Sequence, residues 1–200
     1  MLIVGLTNPR LSEKASMNIY ERFHGRYFGS HGIITVIDIC LKRDYTGSAL
    51  AMICAVAESL TFLGLPEERN EVYEEDFIAW TNRYMQPDKI GICGSEIWRV
   101  RCALVDKFTT HRELTRGSKP REVLFAWGRY SIYEGARLPS GSRWHRIMGI
   151  HAEELYKGLI KGTETFCERH VIKPENEYIV DQRMNQIFAS ARPRIHDGRW

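Results

Sequence analysis

The fold is decided by residues 46–63, which read TGSALAMICAVAESLTFL. A polar start at Thr46 favours helix initiation, and Gly64 followed by Pro66 ends the helix. Apolar side chains cover this helix on nearly every side, which is typical of a helix at the centre of a bundle. The sequence therefore predicts a mainly α fold organised around residues 46–63.

Length and composition narrow the class of protein further. The chain has 200 residues, of which 44% are hydrophobic, 26% charged and 11% aromatic. These values are ordinary for globular proteins and exclude disordered chains, collagen-like repeats and coiled-coil rods. We expect a single domain over residues 1–200, and the formal net charge of +3 does not by itself indicate a nucleic-acid ligand.

The apolar stretches are too short for a signal peptide or a membrane span. Met1–Leu6 is apolar, but it is brief and no basic region precedes it. The longest apolar run, Ala49–Ala57, is followed by Glu58 and falls short of the ~20 residues that a membrane helix needs. We therefore expect a cytoplasmic protein without a membrane partner.

The five cysteines do not form a metal or disulfide pattern. They are odd in number and scattered, with no C-x-x-C pair, whereas a structural zinc site needs closely spaced ligands. Cys40, Cys54 and Cys102 lie within apolar segments, which favours buried thiols. The sequence predicts no metal and no cofactor.

Further helices are predicted on both sides of residues 46–63. Residues 16–108 form the expected bundle core, and its first helix covers 16–43, weakened in the middle by three glycines. Its second half, residues 33–41, fits a buried strand equally well because it is rich in β-branched residues. Closing helices are expected over residues 151–190, before a flexible basic tail at 191–200.

The pattern changes between the core and the closing helices. Residues 122–130 and 143–150 show the short alternation of strands, and Pro139-Ser140-Gly141 between them is typical of a turn. The sequence therefore predicts a small β-hairpin insertion over residues 121–150.

An unusual arginine lies on the helix predicted for residues 94–108. At about 100° per residue, the apolar residues of this segment share one broad face, and Arg101 falls inside it. An arginine in an apolar interface is costly unless a carboxylate or a phosphate meets it. Two interpretations follow: Arg101 pairs with Asp38 or Glu58, or it stabilises a phosphate transition state at a cleft or dimer seam.

Basic residues also accumulate around this helix. Eleven lysines and arginines but only four acids lie between Arg99 and Arg146. Such an excess fits an electrostatic footprint for phosphates. A solvated basic face that pairs with the acidic stretch at residues 67–76 is the more common origin of such a run.

Several motifs on and near the arginine helix resemble one family. The order Trp98-x-x-Arg101-Cys102-Ala103-Leu104-Val105-Asp106, followed by Phe108-Thr109 and by residues 121–128, is similar to an uncharacterised bacterial branch of the HEPN-like helical domains. Residues 77–84 and 150–155 are similar as well. The resemblance covers about residues 16–170.

This resemblance implies a fold and a chemistry. HEPN domains are helical bundles, and many are metal-independent endoribonucleases of toxin–antitoxin and phage-defence systems. Their signature is an arginine with a histidine shortly after it on one late helix, and two copies form the site across a dimer interface. Arg101 matches the arginine, but the expected histidine position holds Asp106. His111, ten residues after Arg101, takes its place only if the helix ends first.

The substitution bears directly on catalysis. Metal-free RNA cleavage needs a base, an acid and a cation near the phosphate, and histidine serves as a proton carrier near pH 7. An aspartate at position 106 repels the phosphate that it must approach. We therefore expect a homodimeric RNA-interacting protein with candidate catalytic residues Arg101, Asp106 and His111 and with weak or absent cleavage. The alternative is a non-catalytic interaction or scaffolding module of a defence system, with a protein partner.

Overall fold

The computed structural model describes residues 17–107, 122–128 and 147–189 of the chain, which are mainly α-helical, as expected. The predicted turn at residues 139–141 and the basic tail at 191–200 lie outside these ranges. In chain order the elements are α1 (Ile19–Tyr27), α2 (Ile33–Lys42), α3 (Thr46–Leu63), α4 (Glu74–Trp80), α5 (Gly94–Lys107), β1 (Glu122–Ala126), β2 (Ile147–His151), α6 (Ala152–Phe166) and α7 (Glu177–Ile187).

Helix α3 lies at the centre of the bundle, as its sequence predicts. It contacts α2, α4, α5, α6 and α7. Ten of its residues are buried, which is why nearly every side of it is apolar: Thr46, Ala49, Leu50, Ile53, Cys54, Val56, Ala57, Leu60, Thr61 and Leu63.

The same helix is the one described segment whose length and composition would allow it to cross a membrane. It has 18 residues with a mean hydropathy of 1.5, and 56% of them are buried inside the protein. The core helix of a globular protein meets this criterion equally well, so the criterion does not distinguish the two cases.

The predicted helix over residues 16–43 is wrong as a single element, because the chain forms α1 and α2 with a turn between them. Asn18 starts α1 by accepting a hydrogen bond from the Glu21 amide, while its own amide donates to the Glu21 carboxylate. The turn is so tight that a Cβ at Gly32 would lie 2.6 Å from the Tyr27 carbonyl oxygen. The strand alternative for residues 33–41 is also wrong, since α2 covers them.

Helix α4 does not end cleanly but continues as a π-helical turn, Thr81–Met85. Gln86, at a left-handed φ of 51°, then stops it ahead of Pro87. The π-helical turn packs against α6. The approach is closest at Gly162, where a Cβ would come within 3.1 Å of the Tyr84 carbonyl group.

The predicted β-hairpin is wrong. Strands β1 and β2 pair in parallel, with register from Glu122 opposite Ile147 to Ala126 opposite His151. A tight turn cannot join parallel strands, which need a connection of about a dozen residues or more. Residues 127–146 provide that length. Alternation identified the two strands, but it contains no information about their relative direction.

Candidate functional site

The arginine helix α5 is fixed at its start by side chains that bind its first backbone amides. The Glu96 carboxylate accepts a hydrogen bond from the Cys93 amide at 3.0 Å, and the Asn82 side-chain oxygen accepts one from the Gly94 amide at 2.9 Å. These contacts satisfy donors that a helix N-terminus otherwise leaves unpaired. Helix α5 is thereby positioned against α4 and the π-helical turn.

The buried face of α5 is the one its sequence predicts. Ile97, Val100 and Leu104 are buried and belong to the main core cluster. Through this face α5 packs on α3 and α4. Arg101 follows Val100 directly, and it therefore emerges beside the seam between α5 and α3.

Arg101 is held by Glu58 of α3 in a two-point ion pair. Its Nε donates to one carboxylate oxygen and its Nη2 to the other, each at 2.9 Å. This parallel arrangement is the strongest geometry open to an arginine and a carboxylate. The side chains of Arg101 and Glu58 retain 19% and 29% of their exposure, so the pair lies at the edge of the core.

The other acid that the sequence offers to Arg101 is engaged elsewhere. The Asp38 carboxylate accepts a hydrogen bond from Lys42 Nζ at 2.6 Å, one turn along α2. Of the two acids that the sequence offers as partners of Arg101, the one that binds it is therefore Glu58.

An aromatic ring supports the ion pair. The Arg101 guanidinium lies 5.2 Å from the centre of the Trp98 ring, and that ring lies 5.2 Å from the ring of Phe77 on α4. Cation–π contacts of this kind add to the stability of the ion pair. Phe77 and Trp98 therefore connect the position of Arg101 to the core beneath it.

The ion pair changes the acid–base properties around it. Burial lowers the pKa of Arg101, but hydrogen bonding to Glu58 and the charge of Glu58 raise it more, with a smaller contribution from Cys102, so the pKa lies above its ordinary value. Burial raises the pKa of Cys54 to about 12, against the opposing effect of the Arg101 charge. Arg101 is therefore a permanent cation, and the Cys54 thiol stays protonated at neutral pH.

The other two predicted catalytic residues are described less fully. Asp106 belongs to α5, and five residues of α-helix place it about 140° around the axis from Arg101 and about 7.5 Å along it. His111 lies outside the described residues. Among the residues that the structure describes, the contact at the candidate site is therefore the one between Arg101 and Glu58.

The described part of the chain contains no group of three histidine, cysteine or acidic residues able to hold a metal ion. All five cysteines are free thiols. Cys54 is buried as expected, whereas Cys40 and Cys102 are only half-buried.

The sequence did not single out Arg183 of α7, which is only 1% exposed. Its guanidinium donates hydrogen bonds to the backbone carbonyl oxygens of Leu65, Pro66 and Arg69. The carbonyl partners explain why it was missed, because backbone acceptors leave no pattern of acidic residues in a sequence.

Comparison with known proteins gives no match: no family model, no curated protein and no solved structure shows significant similarity to this chain.

Proposed function

We propose that this chain is a cytoplasmic, homodimeric, HEPN-like RNA-interacting protein of metal-independent endoribonuclease ancestry, with weak or absent cleavage. The observation that carries the weak or absent cleavage is the two-point ion pair between Arg101 and Glu58, which is also the structural pairing expected of a non-catalytic interaction module. In the proposed ancestral site the arginine stabilises negative charge on a phosphate. Here a carboxylate occupies the same guanidinium and neutralises its charge.

The ion pair and the residue at position 106 act in the same direction. A phosphate that approaches Arg101 must compete with Glu58, whose charge also repels it. Asp106 stands where the resemblance places the histidine, so the usual proton carrier is missing from this position. Both changes weaken catalysis while leaving the helical scaffold intact.

RNA is proposed as the ligand because of the charge distribution in the sequence. Eleven basic residues and four acids lie between Arg99 and Arg146. Basic residues in such excess would neutralise phosphates of the RNA, and the binding free energy gained in this way falls steeply as the salt concentration rises. This contribution does not require a functional catalytic centre.

The cleavage experiment uses mixed RNA in EDTA with the wild type, Arg101→Ala and Asp106→His. We expect no cleavage by the wild type and a gain of activity in Asp106→His, which would identify a decayed nuclease site. Cleavage by the wild type that is lost in Arg101→Ala would show instead that the site is active. Cleavage that survives Arg101→Ala would rule out the assigned site.

The binding experiment measures retention of single-stranded RNA as a function of salt. We expect binding at low salt that weakens steeply as salt rises. Failure to bind RNA at low salt, together with no cleavage by any variant, would contradict the proposed function.

That outcome would favour a second candidate function, a non-catalytic protein-interaction module of a bacterial defence or toxin–antitoxin system. One observation supports it: α2 exposes the apolar side chains of Val36 and Ile39, which are 40% and 52% exposed, and Tyr45 follows them at 63%. Val36 and Ile39 lie about one turn apart on α2, and neighbouring exposed apolar groups are typical of protein contact surfaces. Mass measurement of complexes with candidate protein partners distinguishes this function from RNA binding.

A further inference from the structure

A small cleft lies between the segment that follows the π-helical turn and the outer face of α6. Its volume is about 170 Å³, and neither Arg101 nor Glu58 lines it. A water molecule takes up about 30 Å³, whereas drug-sized ligands fill pockets of roughly 300 Å³ or more. The cleft therefore has room for one small polar group.

The floor of the cleft is apolar and its mouth is charged. Met85, Pro87 and Leu155 are buried there. A Cβ at Gly158 would lie 3.2 Å from the Met85 carbonyl oxygen, so α6 approaches the other wall closely at this point. The charged side chains of the lining are all exposed and can therefore reach a ligand from solvent.

The lining carries more positive than negative charge. It contains three lysines and one acid, Glu154, whose carboxylate accepts a hydrogen bond from Lys157 Nζ at 2.5 Å. The other two lysines, Lys89 and Lys161, form no ion pair with the residues that the structure describes. Asp88 neighbours Lys89 in the chain but does not line the cleft. Two ammonium groups without a protein counter-ion therefore face one cleft.

The arrangement of the lysines favours an anion between them. Lys157 and Lys161 lie one turn apart on the same face of α6, and like charges at this spacing destabilise a helix. A bound anion would relieve that repulsion. The acidic stretch at residues 67–76 does not offset these charges closely, because nine helical residues, or about 13 Å, separate Asp76 from Met85.

The cleft also contains a strained residue with an unused side chain. Gln86 has a left-handed φ of 51°, which is unfavourable for a residue with a Cβ. Its side-chain amide forms no hydrogen bond with the described residues, although it lines the cleft. Backbone strain of this kind occurs mainly at ligand sites, and the amide group has two N–H donors to offer an anion.

We propose that this cleft binds a phosphate group, held by the ammonium groups of Lys89 and Lys161 and by the side-chain amide of Gln86. Lysine binds phosphate as a compact point charge. The phosphate is either free or part of the backbone of a single-stranded RNA; the second case rests on the RNA-binding function proposed above.

The test titrates the full chain with inorganic phosphate, and separately with a short single-stranded RNA, at constant ionic strength. Binding is followed by the NMR shifts of the backbone amides of Gln86, Lys89 and Gly158. Lys89→Gln and Lys161→Gln each remove one charge from the cleft. Lys173→Gln is the matched control, because Lys173 is exposed and does not line the cleft.

We expect each of the two cleft lysine variants to weaken phosphate binding by about tenfold, as the loss of a charge-assisted hydrogen bond does, and Lys173→Gln to leave it unchanged. Gln86→Gly should also weaken binding without lowering the denaturation midpoint, because glycine accepts the left-handed φ. A purely structural role of Gln86 would lower the midpoint and leave the affinity unchanged.

The two ligands separate this proposal from the RNA function. Phosphate binding that depends on the cleft lysines, without RNA binding, supports the cleft and contradicts the RNA function. RNA binding that the cleft variants do not weaken, without phosphate binding, overturns the cleft proposal and leaves the RNA function standing. An equal loss of affinity in Lys173→Gln, or no shift at the cleft with either ligand, overturns the cleft proposal.

Discussion

Arg183 of α7 donates a hydrogen bond from Nη1 to the carbonyl oxygen of Leu65 at 2.5 Å. Leu65 lies just after the end of α3, at the start of the loop that leads to α4. Arg183 Nη2 donates to the carbonyl oxygens of Pro66 and Arg69. The guanidinium also lies 5.0 Å from the centre of the Phe62 ring. One buried side chain therefore connects the last described helix to the loop between α3 and α4.

Replacing Arg183 tests how much that connection contributes to the free energy of unfolding. In Arg183→Met three carbonyl groups lose a charged donor, and we expect the free energy of unfolding to fall by about 3 kcal/mol. Arg183→Lys keeps the charge but cannot reach three acceptors with one planar group, so its loss should be intermediate. Chemical denaturation measures both, and a loss below about 1 kcal/mol in Arg183→Met would show that the loop is held by other contacts.

The ion pair between Arg101 and Glu58 can be measured by a double-mutant cycle with Arg101→Met and Glu58→Gln. Because both side chains are partly shielded, we expect a coupling energy of about 1–3 kcal/mol, between the values for exposed and for buried pairs. The matched control is the cycle on Lys42 and Asp38, an exposed pair one helical turn apart. Its coupling should be about 0.3–0.5 kcal/mol, and equal couplings in the two cycles would contradict a structural role for Arg101.

The sequence predicted what depends on local pattern. The apolar composition of α3 identified the central helix. The wheel of α5 predicted Arg101 inside the apolar face, and the structure has it at the edge of that face, with 19% of its side chain exposed. It also reduced the possible partners of Arg101 to two acids, one of which is the observed Glu58. The choice between them depends on which of α2 and α3 packs against α5, and this is α3; no local pattern contains that information.

What the sequence missed depends on contacts between distant segments. Strands β1 and β2 pair in parallel, and alternation is the same in parallel and antiparallel strands. The ring contacts of Phe166 on α6 with Trp80 on α4 and with Tyr84 in the π-helical turn join distant segments, so no spacing identifies them. Aromatic residues at helical spacing look like ordinary core, and most of these rings are indeed buried.

The turn between α1 and α2 gives a matched pair of glycine substitutions. In Gly32→Ala the new Cβ would lie within 2.8 Å of three backbone atoms, so the turn must shift, and we expect a loss of stability of about 1–3 kcal/mol. In Gly25→Ala nothing lies within 4 Å of the Cβ, and a helical alanine should stabilise α1 by about 0.5–1 kcal/mol. Thermal unfolding of both variants checks this. A stabilising Gly32→Ala would show that the turn can relax.

The pH dependence of stability should report the environment of His170. Burial and the charges of Arg183 and Arg83 lower the pKa of His170 in the folded protein, whereas in the unfolded chain it is about 6.5. The unfolded state therefore binds more protons as the pH falls, and the free energy of unfolding decreases on acidification from about pH 7.5 to 5.

His170→Gln cannot be protonated, so its stability should depend less steeply on pH than that of the wild type. His31→Gln, at an exposed position, is the control and should keep the steeper slope. Denaturation midpoints across this range decide the matter, because parallel profiles for the wild type and His170→Gln would mean that His170 takes up a proton as easily in the folded state as in the unfolded one.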